Sequence, residues 1–127
     1  MKINIASNEV VHFIGIGGIG MSGLAQIMNN MGFTIQGSDL SRNKNTDRLI
    51  KKGIKVFFGH RQRNLNKITM VVISSAIKKN NMELIAARHK KLPVFKRGEM
   101  LANIVALKKK YSYRRLTWKN NYHFFNS

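Results

Sequence analysis

The residues whose types and spacing most directly suggest chemistry are Gly15-Ile16-Gly17-Gly18-Ile19-Gly20, a G-x-G-x-x-G run near the start of the chain. Without Cβ atoms the backbone can turn tightly and approach a diphosphate. The N–H groups of the helix that follows, with the positive end of its dipole, stabilise the phosphate charge. Asp39 lies nineteen residues beyond Gly20, at the end of a second strand, where a carboxylate can accept hydrogen bonds from a ribose. These features alone fit a nucleotide diphosphate in general, and a nicotinamide dinucleotide is the default reading.

Other reactive side chains offer less. Histidines stand at 12, 60, 89 and 123 without metal-ligand spacing, and no bound metal is expected. His12, just before an apolar strand, reads as a strand-edge residue rather than an acid-base group. Met21, Met28 and Met31 recur at helical spacing and read as core. Lys78-Lys79 and Lys90-Lys91 read as solvated surface. The absence of cysteine removes disulfides, thiolate nucleophiles and cysteine-bound metals, and fits a reducing cytosol.

The elements that must position the loop follow from hydropathy. Residues 10–16 form a β-branched and aromatic run that stops in glycines, as a buried parallel strand does. Residues 21–31 place Met21, Leu24, Ala25, Ile27, Met28 and Met31 on one helical face, and Gly32 ends the helix. The spacing then predicts a strand at 33–37, a helix at 45–52 with Leu49 and Ile50 inward, and a strand at 54–58. A strand at 68–73, a helix at 81–90, a short strand at 92–95 and a helix at 98–107 complete the alternation. Strands alternating with helices imply an α/β fold, a Rossmann-like open parallel sheet with helices on both faces.

The 127 residues, 43% hydrophobic, suit one ordinary domain. No apolar run approaches the roughly 20 residues of a membrane span and no signal peptide is visible, so a cytoplasmic protein without a membrane partner is expected. The formal charge of +18 raises a second alternative, a basic nucleic-acid-binding protein. Its charges are scattered and accompany abundant Asn and Ile, as A/T-rich codons would give, and no specific nucleic acid is expected.

The segment from His12 to Ala25, His-Phe-Ile-Gly-Ile-Gly-Gly-Ile-Gly-Met-Ser-Gly-Leu-Ala, resembles the opening loop of the bacterial cell-wall (Mur) ligases, specifically those adding L-alanine to UDP-N-acetylmuramate. Gly37-Ser38-Asp39, Gly59-His60, Asn64-Leu65, Val71 to Ile77 and Arg97 to Ala102 match further segments in the family's order. The resemblance implies that Gly15, Gly17, Gly18, Ile19, Gly20, Met21 and Ser22 hold the UDP diphosphate. It sets Asp39, Ser74, Ser75, Ala76 and Ile77 on the uridine side, with His60 and Arg97 as further candidates near the nucleotide or the muramoyl group. Complete family members use ATP and Mg to activate the muramoyl carboxylate as an acyl phosphate, which the L-alanine amine attacks. The resemblance covers residues 10–110 and includes no ATP-binding loop, so no cofactor is expected on this chain and the chain alone is expected to be inactive.

The expected division is a UDP-sugar-binding domain at 1–110 and an unrelated tail at 111–127. The tail has neither helical nor strand period. Trp118 must be TGG and Lys119 must begin with A, so reading one base later gives glycine there. The shifted frame is compatible with I-A-G-S-H-G-K-T-T-T-I-S, which resembles the family's ATP-binding loop. One extra base near the codons of Lys108 to Lys110 would account for it, and the bases of the gene decide the matter.

Overall fold

Strand β1 (Val10–Ile14) is buried on both faces because it lies at the centre of a five-stranded sheet. The computed structural model describes residues 9–110. After β1 come α1 (Ile19–Asn30), β2 (Thr34–Asp39), α2 (Lys44–Lys51), β3 (Lys55–Phe58), a 3-10 turn at Gln62–Leu65, β4 (Met70–Ile73), α3 (Met82–His89), β5 (Val94–Lys96) and α4 (Arg97–Lys110). All pairings are parallel and the order is β3-β2-β1-β4-β5. This is the Rossmann-like α/β architecture expected from the alternation.

Alternation along the strands assigns two cores. Val11, Phe13, Ile35, Met70 and Val72 face one way and pack with Leu24 and Met28 of α1, Leu49 of α2, and Met100, Ile104 and Leu107 of α4. Ile14 and Val71 face the other way and pack with Leu65, Ile68, and Leu84 and Ala87 of α3. Helices therefore cover both faces.

Several details differ from the sequence expectation. Helix α1 begins two residues early, at Ile19, so the loop is shorter than the apolar pattern suggests. Met21 and Met28 are core, while Met31 caps the helix and is only partly buried. Strand β2 continues to Asp39 because Ser38 and Asp39 pair with Phe57 and Phe58. Ile50 is 37% exposed, since only Leu49 of that pair reaches the core. Helix α4 extends through Lys108 to Lys110, whose charges suit the negative end of the helix dipole.

His12 is no strand-edge residue: it lies inside the central strand and is fully buried. The lysines at 78, 79, 90 and 91 are exposed, as expected. The tail expected at 111–127 lies outside the described residues, as does His123. Among the described residues no helix is long and apolar enough to cross a membrane.

Candidate functional site

The chain leaves β1 through Gly15, whose φ of +86° is strained for any residue with a Cβ. The Gly15 and Ile16 N–H groups both donate to the Ser38 carbonyl, at 2.9 and 3.0 Å. The Gly17 N–H donates to Asp39 Oδ2 at 2.7 Å, and the Asn45 and Asn43 amides donate to the Gly17 carbonyl at 2.9 and 3.2 Å. A Cβ on Gly17 would stand 2.7 Å from the same Asp39 oxygen and 2.9 Å from Thr46 Cγ2. The loop is thus pinned to β2 and α2, and Gly17 must stay bare for the pinning to hold.

Gly18 begins α1 without a side-chain cap and without an acid in the first turn. The other three helices carry Asp47, Glu83 and Glu99 there. The N–H groups of Ile19, Gly20 and Met21 have no intrahelical acceptor at these positions, and Gly18 to Gly20 are exposed. Backbone donors and the helix dipole therefore converge on open space, as an anion requires. The Met21 side chain is core, so only its N–H can serve. Ser22 lies behind the loop: it is buried, its N–H donates to the Gly18 carbonyl at 2.8 Å and its hydroxyl to the Ile19 carbonyl at 3.2 Å.

The remaining candidates divide between two flanks of the loop. On the β4 side a Cβ built on Gly15 would lie 3.2 Å from Ser74 Cβ and 3.5 Å from Ile77 Cδ1. A cleft of about 510 Å³ opens here, lined by Ser74, Ser75, Ile77, Lys96, Arg97 and Gly98 among others. Ala76 is exposed beside it and donates its N–H to Ser74 Oγ at 3.0 Å. Arg97 opens α4, and its Cδ would be 2.9 Å from a Cβ on Gly20. Its stem therefore lies against the first turn of α1, bringing a cation to the same donors. The cleft opens at the carboxyl ends of β4 and β5, and Ser74 on its wall borders Gly15 at the β1–β4 switch point, the place where open α/β sheets bind ligands.

On the β2 side, Asp39 accepts from Gly17 and, through Oδ1, from its neighbour Leu40 N–H at 2.8 Å. Gly59 N–H donates to the Asp39 carbonyl at 2.8 Å, which brings the following His60 to the same edge. Asp39 thus touches the loop from one side, and Ser74 and Ile77 border it on the other. A second cleft, about 470 Å³ at the β3 edge, collects Lys55, Arg61, Arg63 and Lys67 with Phe57, and no glycine-loop residue lines it.

Beneath the β2 flank lies a feature missed in the sequence. Glu83, fully buried, accepts four hydrogen bonds: His12 Nε2 at 2.7 Å and Ser38 Oγ at 2.6 Å on Oε1, Asn64 Nδ2 at 2.7 Å and the Arg61 N–H at 2.9 Å on Oε2. Gln36 Nε2 donates to the Asn64 carbonyl at 2.7 Å and lies 2.8 Å from His12 Nδ1. Burial alone pushes the Glu83 carboxyl up. Hydrogen bonds from His12, Ser38 and Asn64, with the attraction of the His12 ring, outweigh burial and lower it from 4.5 to about 2. Glu83 looks in the sequence like an ordinary first-turn acid. The signal was His12, Gln36 and Ser38, polar residues that strand alternation puts on one face.

A glycine-rich strand-to-helix loop, anchored by an acid at the end of the next strand, defines a Rossmann-like α/β protein. Residues 10–109 match the model of the Mur ligase family, catalytic domain, and the chain belongs to that family. It is 62% identical over 109 residues to the UDP-N-acetylmuramate–L-alanine ligase of Pelagibacter ubique, covering 86% of this chain and 24% of that protein. The Brucella ovis enzyme of the same name is 53% identical, with 86% of this chain and 22% of the relative covered. Among solved structures, the UDP-N-acetylmuramate-alanine ligase of Thermotoga maritima superposes with a TM-score of 0.76 at 32% identity, covering 80% of this chain and 24% of the other. The chain spans about a quarter of the length of these relatives.

Proposed function

We propose that the carboxyl edge of this sheet binds UDP-N-acetylmuramate, as the nucleotide-sugar domain of a cytoplasmic ligase that joins L-alanine to it in cell-wall synthesis. The single observation that carries this reading is the α1 opening, where backbone donors of Ile19, Gly20 and Met21 meet the Arg97 stem beside the Ser74 cleft. A diphosphate lies on Gly15 to Met21, with Ser22 supporting the turn from behind. Asp39 and His60 approach the nucleoside from one flank, and Ser74 to Ile77 line the other. The relatives' names supply the sugar and the amino acid.

Residues 1–110 are assigned to the binding domain, and 111–127 are left out of that assignment. ATP and Mg belong to the complete ligase. The described residues do not fit them: no lysine lies within the glycine loop, and no three His, Cys, Asp or Glu gather to hold a metal. No step through either is assigned to these residues, and the isolated chain is expected to form no product.

Thermal unfolding with added ligand tests the site. UDP-N-acetylmuramate should raise Tm in a concentration-dependent way, since a ligand bound only by the folded state adds RT ln(1 + [L]/Kd). Gly17→Ala should abolish the rise and Arg97→Ala should weaken it. An equal rise in all three proteins would show that the ligand sits elsewhere.

A further inference from the structure

We propose that the cleft at the β3 edge is a second anion site, apart from the glycine loop, built for a small ligand that carries a chain of two or more phosphates. Its wall holds Lys55 of β3 with Arg61, Arg63 and Lys67 of the segment that follows, around the half-buried Phe57 and the buried Asn64.

Topology brings these cations together. β3 is an outer strand of the sheet, and side chains alternate across it. Val56 packs against the core shared by α1, α2 and α4, so Lys55 and Phe57 face the other way, toward the 3-10 turn. The Lys55 ammonium lies 5.1 Å from the centre of the Phe57 ring, which holds it at the wall. Glu83 fixes the turn from within: its carboxylate accepts the Arg61 backbone N–H at 2.9 Å and Asn64 Nδ2 at 2.7 Å. Asn64 Nδ2 also donates to the Gly59 carbonyl at 3.1 Å. The wall is therefore shaped before any ligand arrives.

The charge of this cleft is unbalanced. The chain has five acids, and each accepts elsewhere: Glu9 from Thr69, Asp39 from Gly17, Asp47 from Arg42, Glu99 from the Lys96 N–H, and Glu83 from its buried donors. Among the described residues no carboxylate pairs with the side chain of Lys55, Arg61, Arg63 or Lys67, all of them exposed. Arg61 gives one N–H to the Phe58 carbonyl at 3.2 Å, and the rest of its guanidinium meets no acceptor in the described chain. The cleft beside the glycine loop, by contrast, sets Glu99 against Lys96 and Arg97. Guarding an outer strand against edge pairing accounts for a lysine on β3, but not for cations on the segment beyond it. Lys67 moreover stands at φ +63°, where a residue with a Cβ is strained, so presenting its charge here costs stability.

The chemistry of the wall selects the ligand. Two arginine forks match pairs of phosphate or carboxylate oxygens. A volume of about 470 Å³ has four positive charges to neutralise, and a phosphate brings roughly 1.5 to 2 negative charges at neutral pH. A short phosphate chain supplies the charge within that volume. An acidic peptide needs several residues of backbone to supply as much.

Calorimetric titration of the 127-residue chain with sodium tripolyphosphate, at about 0.15 M salt so that dispersed surface charge is screened, tests the proposal. One-to-one binding is expected, unchanged in Arg97→Ala, which alters only the cleft beside the glycine loop. The double variant Arg63→Gln, Lys67→Gln should weaken it at least about tenfold, as the loss of charge-assisted hydrogen bonds implies. Lys78→Gln with Lys79→Gln removes the same charge from exposed positions elsewhere and should leave binding within about twofold. Lys67→Gly relieves the positive φ and removes one charge, so binding should weaken while Tm does not fall, which separates a ligand contact from a structural role. Equal weakening in the two double variants, loss of binding in Arg97→Ala, unchanged binding in Lys67→Gly, or no binding at all overturns the proposal. So does an oligothymidylate strand that binds through Arg63 and Lys67 where tripolyphosphate does not, since the cleft would then serve a nucleic acid.

Discussion

The two faces of the sheet are stabilised differently. The face under α1, α2 and α4 is chiefly apolar, with Val11, Phe13, Leu24, Met28, Met100 and Ile104 almost wholly excluded from water. The face under α3 buries aliphatic residues too, but toward β2 it gives way to His12, Gln36, Ser38, Asn64 and the Glu83 carboxylate. An apolar core tolerates small sliding because dispersion and solvent exclusion have no direction. A carboxylate with four directed donors fixes two strands, a turn and a helix in one arrangement. The polar cluster adjoins the end of β2, where Asp39 holds the loop and small displacements would matter most.

The contrast between the faces is measurable as stability. Glu83→Ala should cost most, about 3–5 kcal/mol in urea unfolding, because four buried donors lose their acceptor. Acid should act through the same group. Its folded carboxyl is depressed from 4.5 to about 2, so its contribution is complete above 4.5 and lost as pH falls toward 2. The loss is about 3 kcal/mol, and it should be missing from the pH profile of the Glu83→Ala protein. On the apolar face Ile104→Val should cost about 1 kcal/mol, with the same value at pH 3 and pH 7. Smallest of all, Arg42→Ala should change stability by less than about 0.5 kcal/mol, since the Arg42–Asp47 pair is 65% and 51% exposed. A Glu83→Ala cost below that of Ile104→Val would end the contrast.

The sequence made the apolar face legible because hydrophobic periodicity reports burial directly. Val11 and Phe13 alternate as a strand should, and Leu24 and Met28 recur as a helix should. The glycine loop was legible because glycine is required where φ is positive or a backbone passes within contact of a side chain, as at Gly15 and Gly17. The polar cluster was not. His12, Gln36, Ser38, Asn64 and Glu83 span more than seventy positions and meet only after β1, β2 and α3 have packed. Periodicity is blind to such a meeting, so His12 reads as an edge residue until its partners are seen. The 3-10 turn at Gln62–Leu65 escaped for a related reason: Asn64 is buried through tertiary hydrogen bonds, and no local pattern marks it. Ile50 shows the converse, an apolar residue that periodicity directs inward and the packing of α2 leaves at the surface.

The glycine loop is proposed to serve a UDP-sugar rather than a nicotinamide dinucleotide. Parallel calorimetric titrations of the 127-residue chain with UDP-N-acetylmuramate and with NADH test it most directly. Saturable one-to-one binding of UDP-N-acetylmuramate, lost in Gly17→Ala, is expected, with no heat of binding from NADH. Saturable binding of NADH with none of UDP-N-acetylmuramate would contradict it.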